Sequence, residues 1–275
     1  ANLPERAKNL YANDHSRSTP NTRLSAIYSA SAGETVGPRK QAESPAQAEV
    51  HRDYLRHVTA IDACVGRLLD ALDRTGRAEN TLVIVTSDNG YYLGEHGLGD
   101  KRSAYDESLR VPLLIRLPGP ADRPGATQDA MVLNLDYGPT ILNYAGAAPL
   151  PGAQGRSLRP LLDGRAPSDW RTAYFYEYFR EANFGAPTVL AVRTVTHKLV
   201  TYPGHEDWTE VFDLRSDPYE TKNLVRDTAL LGRLKSTLAE QSAATGFRWP
   251  AGFGPNGEAP PPAKAAKKAG KKKKK

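Results

Sequence analysis

A short apolar run that leads into a glycine-rich polar segment constrains the fold of this chain more than any other feature. Residues 81–86 read Thr-Leu-Val-Ile-Val-Thr, which is typical of a buried β-strand. Ser87, Asp88 and Asn89 follow directly, and four glycines within residues 90–99 allow a tight loop. Because ligands of open α/β sheets collect at the carboxyl ends of strands, this segment is the first candidate for a binding site.

The residues on either side of this run predict an α/β layer structure. From Glu49 to about Leu72, apolar residues recur at three- and four-residue steps, which is the pattern of an amphipathic helix. Residues 111–117 form a second strand-like run, and residues 136–145 have the pattern of a helix that ends before Gly146. Helix, strand, strand and helix in this order are typical of an α/β domain.

The C-terminal part of the chain has a different pattern. Four short β-like runs separated by turn residues precede one helix at residues 230–241, which predicts a small α+β subdomain with an antiparallel sheet. The β-like runs are residues 173–179, 189–195, 198–202 and 211–214. The predicted organisation is an irregular segment at 1–48, an α/β part at 49–165, the α+β subdomain at 166–249 and a disordered lysine-rich tail at 250–275.

The net charge of +6 comes from the C-terminus of the 275-residue chain. Eight lysines lie in residues 264–275, and without them the +6 becomes −2, so the basic pI describes a tail. Lysine runs bind polyanions, but no aromatic residues are interleaved with these, so we expect nucleic acid to make only nonspecific contacts with the tail. A non-catalytic module that binds sulfated or anionic polymers is one alternative function. It predicts salt-sensitive binding that is lost when residues 263–275 are deleted.

Cysteine content and hydropathy argue against several structural features. Cys64 is the only cysteine, so an intrachain disulfide and a cysteine-based metal site are excluded. We expect Cys64 to be a small, partly buried residue of the first helix and not a reactive thiol. No stretch approaches the roughly 18 apolar residues of a membrane helix, so no membrane span is expected.

Asp88 and Asn89 are candidate metal ligands. A carboxylate next to a side-chain amide offers two hard oxygens to one cation, which suits Ca²⁺ and, less well, Mg²⁺. The same residue types after a strand are more often only a turn. Taken alone, Lys101 is more often a solvated lysine and His96 a hydrogen-bonded structural histidine.

The sequence of the longer segment around Asp88 and Asn89 favours a metal site over a simple turn, because this segment resembles a known family. Residues 81–119, TLVIVTSDNGYYLGEHGLGDKRSAYDESLRVPLLIRLPG, resemble the second signature region of sulfatases in the alkaline-phosphatase-like superfamily, including arylsulfatases and glycosaminoglycan-type sulfatases. The likeness extends over roughly residues 49–245. It implies a partial alkaline-phosphatase-like sheet with flanking helices, followed by a small α+β subdomain. It also implies a sulfuric ester hydrolase that acts on a sulfated carbohydrate or an aryl sulfate, and it favours a periplasmic or secreted location.

The resemblance implies a role for each residue of the loop. Asp88 and Asn89 match the ligands of the family's divalent cation, usually Ca²⁺. Lys101, thirteen residues after Asp88, matches the catalytic lysine that contacts the sulfate group. His96 is expected mainly to stabilise the loop, with substrate binding as its second candidate role. Arg102 and Glu107 are expected to brace the loop, and candidates for substrate selection are Glu177, Tyr178, His197 and His205.

A phosphoester hydrolase of the same superfamily is the closest enzymatic alternative, since sulfate and phosphate esters demand similar sites. Asn89 and the Leu-Gly-Glu-His-Gly sequence at residues 93–97 favour sulfate.

The family's nucleophile has no counterpart in this sequence. It is a formylglycine made from Cys or Ser in a C/S-x-P/A-x-R motif, and residues 64–67 (Cys-Val-Gly-Arg) lack that spacing. The N-terminal metal-binding Asp pair and an upstream sulfate-binding histidine are also missing. We therefore interpret the chain as the C-terminal half of a sulfatase.

We predict that the purified 275-residue chain has no sulfatase activity, because the nucleophile is missing. The measurement is hydrolysis of an aryl sulfate, with Lys101→Ala as the control. Turnover by the unmodified chain above that of Lys101→Ala would contradict this prediction.

Overall fold

The computed structural model describes residues 9–14, 19–22, 27–28, 45–119, 125–181 and 184–258. Most of the segment predicted to be irregular, and residues 259–275 of the predicted tail, lie outside these ranges. Among the helices of the described ranges, none combines the length and apolar character needed to cross a membrane.

The first helix, α1 (Pro45–Arg74), confirms the predicted amphipathic helix and begins four residues earlier. Its C-terminus is followed by Gly76 with a φ of 64°, the left-handed conformation that glycine adopts after a helix. Much of the apolar face is exposed, for example at Val50 (52%) and Leu68 (67%), whereas Val65 and Leu72 are half-buried. Cys64 is also exposed, so the expectation that it is partly buried was wrong. The spacing of apolar residues predicts a helix, but it does not determine which parts of the protein pack against that helix and bury it.

Two short strands carry the glycine-rich loop between them. Strand β1 (Val83–Thr86) pairs with β4 (Leu113–Arg116), and the intervening residues form a small hairpin of β2 (Tyr92–Leu93) and β3 (Gly99–Asp100), then helix α2 (Asp106–Leu109). We expected β1 to be buried, but it is half-buried, and it pairs antiparallel with β4. The loop brings the chain back beside β1 without the crossover helix that usually joins parallel strands.

A buried aspartate organises the segment after β4. Helix α3 (Tyr137–Tyr144) confirms the predicted helix, and the short helix α4 (Arg159–Leu162) follows it. Asp136, fully buried before α3, accepts hydrogen bonds from the backbone N–H groups of Leu133 and Arg156, both at 2.8 Å. Arg171, which immediately precedes the C-terminal sheet region, donates to the same carboxylate at 2.7 Å. One carboxylate therefore joins the two parts of the structure.

The C-terminal region is a four-stranded antiparallel sheet with one helix on its face, as predicted. The strands pair in chain order, and helix α5 (Thr228–Ala244) packs on one face through Leu230 and Leu234. The opposite face packs against Tyr92 and Tyr105 of the glycine-rich loop. The strands are β5 (Ala173–Tyr178), β6 (Val189–Thr194), β7 (His197–Thr201) and β8 (Glu210–Asp213). The candidate site is thus carried by a loop that lies on this sheet.

The predicted disorder from residue 250 was wrong for the residues up to 258. Strands β9 (Phe253–Gly254) and β10 (Gly257–Glu258) form a small hairpin. Phe253 packs edge-on against Phe179, with ring centroids 5.1 Å apart. This aromatic contact anchors a segment whose proline and glycine content alone indicated disorder.

Candidate functional site

The polar turn after β1 presents Asp88 at the surface. The backbone N–H of Asn89 donates to Asp88 Oδ1 at 3.0 Å, and the Ser87 hydroxyl donates to the Asn89 carbonyl at 2.8 Å. From the segment before α3, Asn134 Nδ2 donates to the Asp88 carbonyl at 2.7 Å. The turn is therefore held in place while the Asp88 side chain is exposed to solvent.

Lys101 meets Asn89 at the other end of the loop. Its Nζ donates to Asn89 Oδ1 at 2.7 Å, although the two residues are twelve positions apart in the chain. Asn89 in turn donates from Nδ2 to the Gly90 carbonyl at 2.6 Å, which fixes its amide. The structure thus brings together Asn89 and Lys101, two residues for which the sequence predicted different roles in one site.

The predicted metal ligands agree chemically with a hard cation. The Asp88 carboxylate is exposed and the Asn89 amide oxygen is half-buried, so the donor set is entirely oxygen, as Ca²⁺ prefers. Asn89 Oδ1 already accepts from Lys101, but an amide oxygen has a second lone pair. Ca²⁺ usually has six to eight oxygen ligands. The two residues Asp88 and Asn89 would therefore supply only one side of its coordination shell.

His96 lies inside the loop. It is buried, and its ring stacks on Tyr105 at 3.8 Å between centroids. Its Nε2 lies 3.1 Å from Asn21 Nδ2 and 3.4 Å from Glu107 Oε2. These contacts agree with the loop-stabilising role expected for His96, and its contact with substrate stays a prediction.

The two residues expected to brace the loop make long-range contacts. Glu107 Oε1 accepts from Asn21 Nδ2 at 2.6 Å. Arg102 pairs with Asp100 and, at 3.1 Å, with Glu181 of the segment after β5. Both side chains therefore tie the loop to distant parts of the chain.

A second group of side chains has ligand atoms close enough to hold a metal ion. Those of His96, Glu107 and Glu220 all lie within 4.8 Å of one another. However, the buried Lys198 places its Nζ 2.7 Å from Glu220 Oε1. An ammonium group already supplies the positive charge at Glu220, so we interpret this group as an ion network. The sequence did not indicate it, since residues 217–220 have only the pattern of a turn.

The ion network fastens the loop to the C-terminal sheet. Asp106, the first residue of α2, pairs with Lys198 at 2.6 Å and with Arg193 at 3.2 Å. Burial raises the pKa of Asp106, but these two cations outweigh it and lower the pKa to about 2. The backbone N–H of Asp106 also donates to Glu220 Oε2 at 2.7 Å. Strands β6 and β7 therefore hold the end of the loop that follows Lys101.

The four candidates for substrate selection lie on the C-terminal sheet and its connections. Tyr178 donates to Glu181 at 3.2 Å, and Glu177 beside it is exposed. The His197 ring lies 2.7 Å from the Thr196 hydroxyl, and His205 stacks on Trp208. Their role in selecting a substrate stays a prediction.

A cavity of about 570 Å³ lies between α2, the segment before α3 and the sheet. Tyr174, Tyr176 and Arg193 line it from the sheet. Its lining also includes Asn134, whose amide contacts the Asp88 carbonyl, but not Asp88, Asn89 or Lys101. The cavity is therefore next to the predicted site and not part of it.

Glu210 is a buried carboxyl group beneath the loop. It accepts hydrogen bonds from the hydroxyls of Tyr105 (2.9 Å) and Tyr202 (2.7 Å). Burial raises the pKa of Glu210 to about 7, although both hydroxyls lower it. The folded chain therefore holds this proton more tightly than the unfolded chain.

We predict that Glu210→Gln flattens the pH dependence of stability. With the folded pKa raised, the unfolded state loses the proton first, so the contribution of Glu210 falls as pH rises from about 4 to about 7. The shift corresponds to about 3 kcal/mol. Urea unfolding at several pH values measures it, with the exposed Glu240→Gln as control. Parallel pH profiles for the unmodified chain and Glu210→Gln would disprove this linkage.

Comparison with known proteins agrees with the resemblance seen in the sequence of the loop. A family model described as "Sulfatase" matches residues 4–147, and one described as "N-sulphoglucosamine sulphohydrolase, C-terminal" matches residues 94–244. The chain belongs to the sulfatase family. The expected family resemblance and the mixed α/β fold are thereby confirmed, and sulfatases are generally calcium-dependent.

Individual relatives of this sulfatase-family chain are consistent with that assignment. It is 41% identical over 176 residues to an N-acetylglucosamine-6-O-sulfatase of Bacteroides thetaiotaomicron, covering 63% of this chain and 31% of the relative. A solved structure of a protein in complex with its substrate D-glucosamine-2-N,6-O-disulfate is 35% identical, with a TM-score of 0.68 over 73% of this chain and 42% of the other. A phosphonate monoester hydrolase from Silicibacter pomeroyi is 27% identical, with a TM-score of 0.67 over 88% of this chain and 52% of the other.

The chain spans only part of the relatives that it matches. Its matches cover 31% to 42% of the length of the first five curated relatives. Residues outside the aligned region therefore make up most of each relative.

Proposed function

We propose that the loop after β1 contributes one side of a site for sulfate-ester hydrolysis. In this proposal Asp88 and Asn89 hold a Ca²⁺ ion, and Lys101 contacts the sulfate group. The observation that supports it best is the 2.7 Å contact between Lys101 Nζ and Asn89 Oδ1, since it puts a cation-binding oxygen beside a fixed ammonium group. The substrate class that we propose is a sulfated sugar, in line with the sugar sulfates named for two of the relatives.

The chemistry of these residues suits this reaction. When bound, Ca²⁺ supplies Lewis-acid polarisation of the ester. The Lys101 ammonium neutralises negative charge on the sulfuryl group or on the leaving oxygen, and it is already oriented before substrate arrives. The family's nucleophile motif has no counterpart among the 275 residues, so the proposal is tested in a protein that supplies a nucleophile.

The role of Lys101 can be tested in a chimera. Residues 45–244 of this chain would replace the corresponding segment of the Bacteroides thetaiotaomicron relative, which is active on sulfated N-acetylglucosamine according to its name. We expect Lys101→Ala to lower kcat about 10²- to 10³-fold, the usual effect of removing an oriented electrostatic group. The matched control is Lys235→Ala on α5, whose side chain is half-exposed. Equal rates for the two variants would refute the proposed role.

Cation binding gives a separate prediction in the same chimera. We expect Asp88→Ala to raise the Ca²⁺ concentration needed for half-maximal activity by at least about tenfold, since even residues that only orient metal ligands have effects of this size. The exposed Asp169, which pairs with Arg156, provides the control substitution Asp169→Ala. An unchanged Ca²⁺ requirement in Asp88→Ala would argue against Asp88 as a ligand.

A phosphoester or phosphonate ester hydrolase is the second candidate, because of the structural similarity to the phosphonate monoester hydrolase. The chimera separates the two, since the same preparation can be assayed on a sulfate monoester and on the matching phosphate and phosphonate esters. A higher kcat/KM for either phosphorus ester would favour this alternative.

A further inference from the structure

One buried serine closes the glycine-rich loop that carries Asn89 and Lys101. Ser108, in α2, is 3% exposed and makes two hydrogen bonds to the loop. Its carbonyl accepts from the Gly90 N–H at 2.8 Å, next to Asn89. Its hydroxyl donates to the carbonyl of Lys101. A single residue therefore contacts the chain beside both Asn89 and Lys101.

The approach of α2 to this turn requires glycine at position 90. A Cβ atom at Gly90 would lie 1.9 Å from the Glu107 carbonyl oxygen, which no packing adjustment of a side chain can relieve. The backbone of the turn thus lies directly against α2. Any displacement of α2 would be transmitted to Asn89 through this contact.

Helix α2 is itself fixed from the other side. Asp106 is paired with Lys198 and Arg193 of the C-terminal sheet, and Lys198 is fully buried. Ser108 is two residues away within the same helical turn. The hydroxyl of Ser108 therefore extends from a rigid support, which is what holding another group in place requires.

We propose that Ser108 is a positioning residue that holds Lys101 against Asn89. The inference rests on the proposed function, because it assigns Ser108 to the same site. Ser108 acts through the backbone of Lys101, which it holds at the place from which the ammonium group reaches Asn89 Oδ1. The sulfate group of the substrate then meets an ammonium that is already oriented.

The test is made on the full chain, without cation or substrate. NMR of the ¹⁵N-labelled chain follows the side-chain amide resonances of Asn89. Lys101→Ala is expected to shift them, because it removes the 2.7 Å contact to Oδ1. Ser108→Ala is expected to shift them in the same direction by a comparable amount.

The matched control is Ser103→Ala. Ser103 is fully buried in the same loop, and its hydroxyl pairs with Tyr92. Its backbone N–H also donates to the Lys101 carbonyl at 3.1 Å, and the substitution keeps this backbone contact. This variant should leave the Asn89 side-chain resonances where they are. If Ser108→Ala does not fold, Ser108→Cys replaces it, since the thiol keeps the size of the side chain but is a weak donor.

Two outcomes would overturn the inference. One is a folded Ser108 variant whose Asn89 side-chain resonances coincide with those of the unmodified chain while Lys101→Ala shifts them. The other is an equal shift in Ser103→Ala and Ser108→Ala, which would indicate a general disturbance of the loop. Neither outcome depends on hydrolysis, so the inference can fail while the proposed function, tested in the chimera, is retained.

Discussion

Replacing Lys198 by methionine is expected to destabilise the chain by about 3–5 kcal/mol, the usual cost of removing one partner from a buried ion pair. The side chain is fully buried, and its Nζ lies 2.6 Å from Asp106 and 2.7 Å from Glu220. Methionine keeps the length of the side chain but not its charge. Arg193 would remain paired with Asp106, whereas Glu220 would lose the ammonium of Lys198. The midpoint and slope of urea unfolding give the free-energy change.

A matched pair of variants separates burial from charge. Lys235→Met removes an ammonium that is half-exposed and 3.9 Å from Glu206, so we expect a loss below about 1 kcal/mol. Adding Glu220→Gln to Lys198→Met should restore part of the stability, because it removes the carboxylate charge that Lys198 no longer compensates. A loss of less than about 1 kcal/mol for Lys198→Met would show that the network contributes little.

Asp136→Ala is expected to have an effect of similar size, about 3–5 kcal/mol, at a different junction. Its carboxylate is fully buried and accepts from the backbone N–H groups of Leu133 and Arg156 as well as from Arg171. Removing it leaves these donors without their partner, and unsatisfied buried donors cost about 1–3 kcal/mol each. Thermal or urea unfolding of the purified variant measures the loss.

The control for this prediction is Asp169→Ala. Asp169 also pairs with an arginine, Arg156 at 3.1 Å, but its side chain is 77% exposed. We expect a change of at most about 1 kcal/mol, as for other exposed salt bridges. If the two aspartate variants were equally stable, the structural role assigned to Asp136 would be wrong.

Local pattern was sufficient to predict the helices α1, α3 and α5 and the strands of four or more residues, but not the shorter elements. The three- and four-residue spacing of apolar residues predicted α1, and the β-branched runs predicted β1, β4 and the four strands of the C-terminal sheet. The loop from Asp88 to Lys101 could be predicted because its candidate residues lie in one contiguous segment. The two residues Asn89 and Lys101 come into contact when this loop folds back on itself.

Other features depend on residues that are distant in the chain. Asp106 and Lys198 are 92 positions apart, and no periodicity relates them. The exposure of Cys64 and the antiparallel pairing of β1 with β4 likewise depend on which surfaces meet. The role proposed for Ser108 could not be predicted from the sequence for the same reason. A serine in a short polar stretch has no distinctive pattern, and its contacts with Gly90 and Lys101 are seen only in the structure.

The chain-order pairing of β5 to β8 also bears on how this protein folds. Each strand pairs with its neighbour in sequence, so the sheet has a low contact order and needs only short loop closures. The ion pair between Asp106 and Lys198 closes a far longer loop. We therefore expect the sheet to form early and the glycine-rich loop to dock on it in a later step. In refolding experiments, hydrogen-exchange protection would then appear in β6 and β7 before the turn at Asn89.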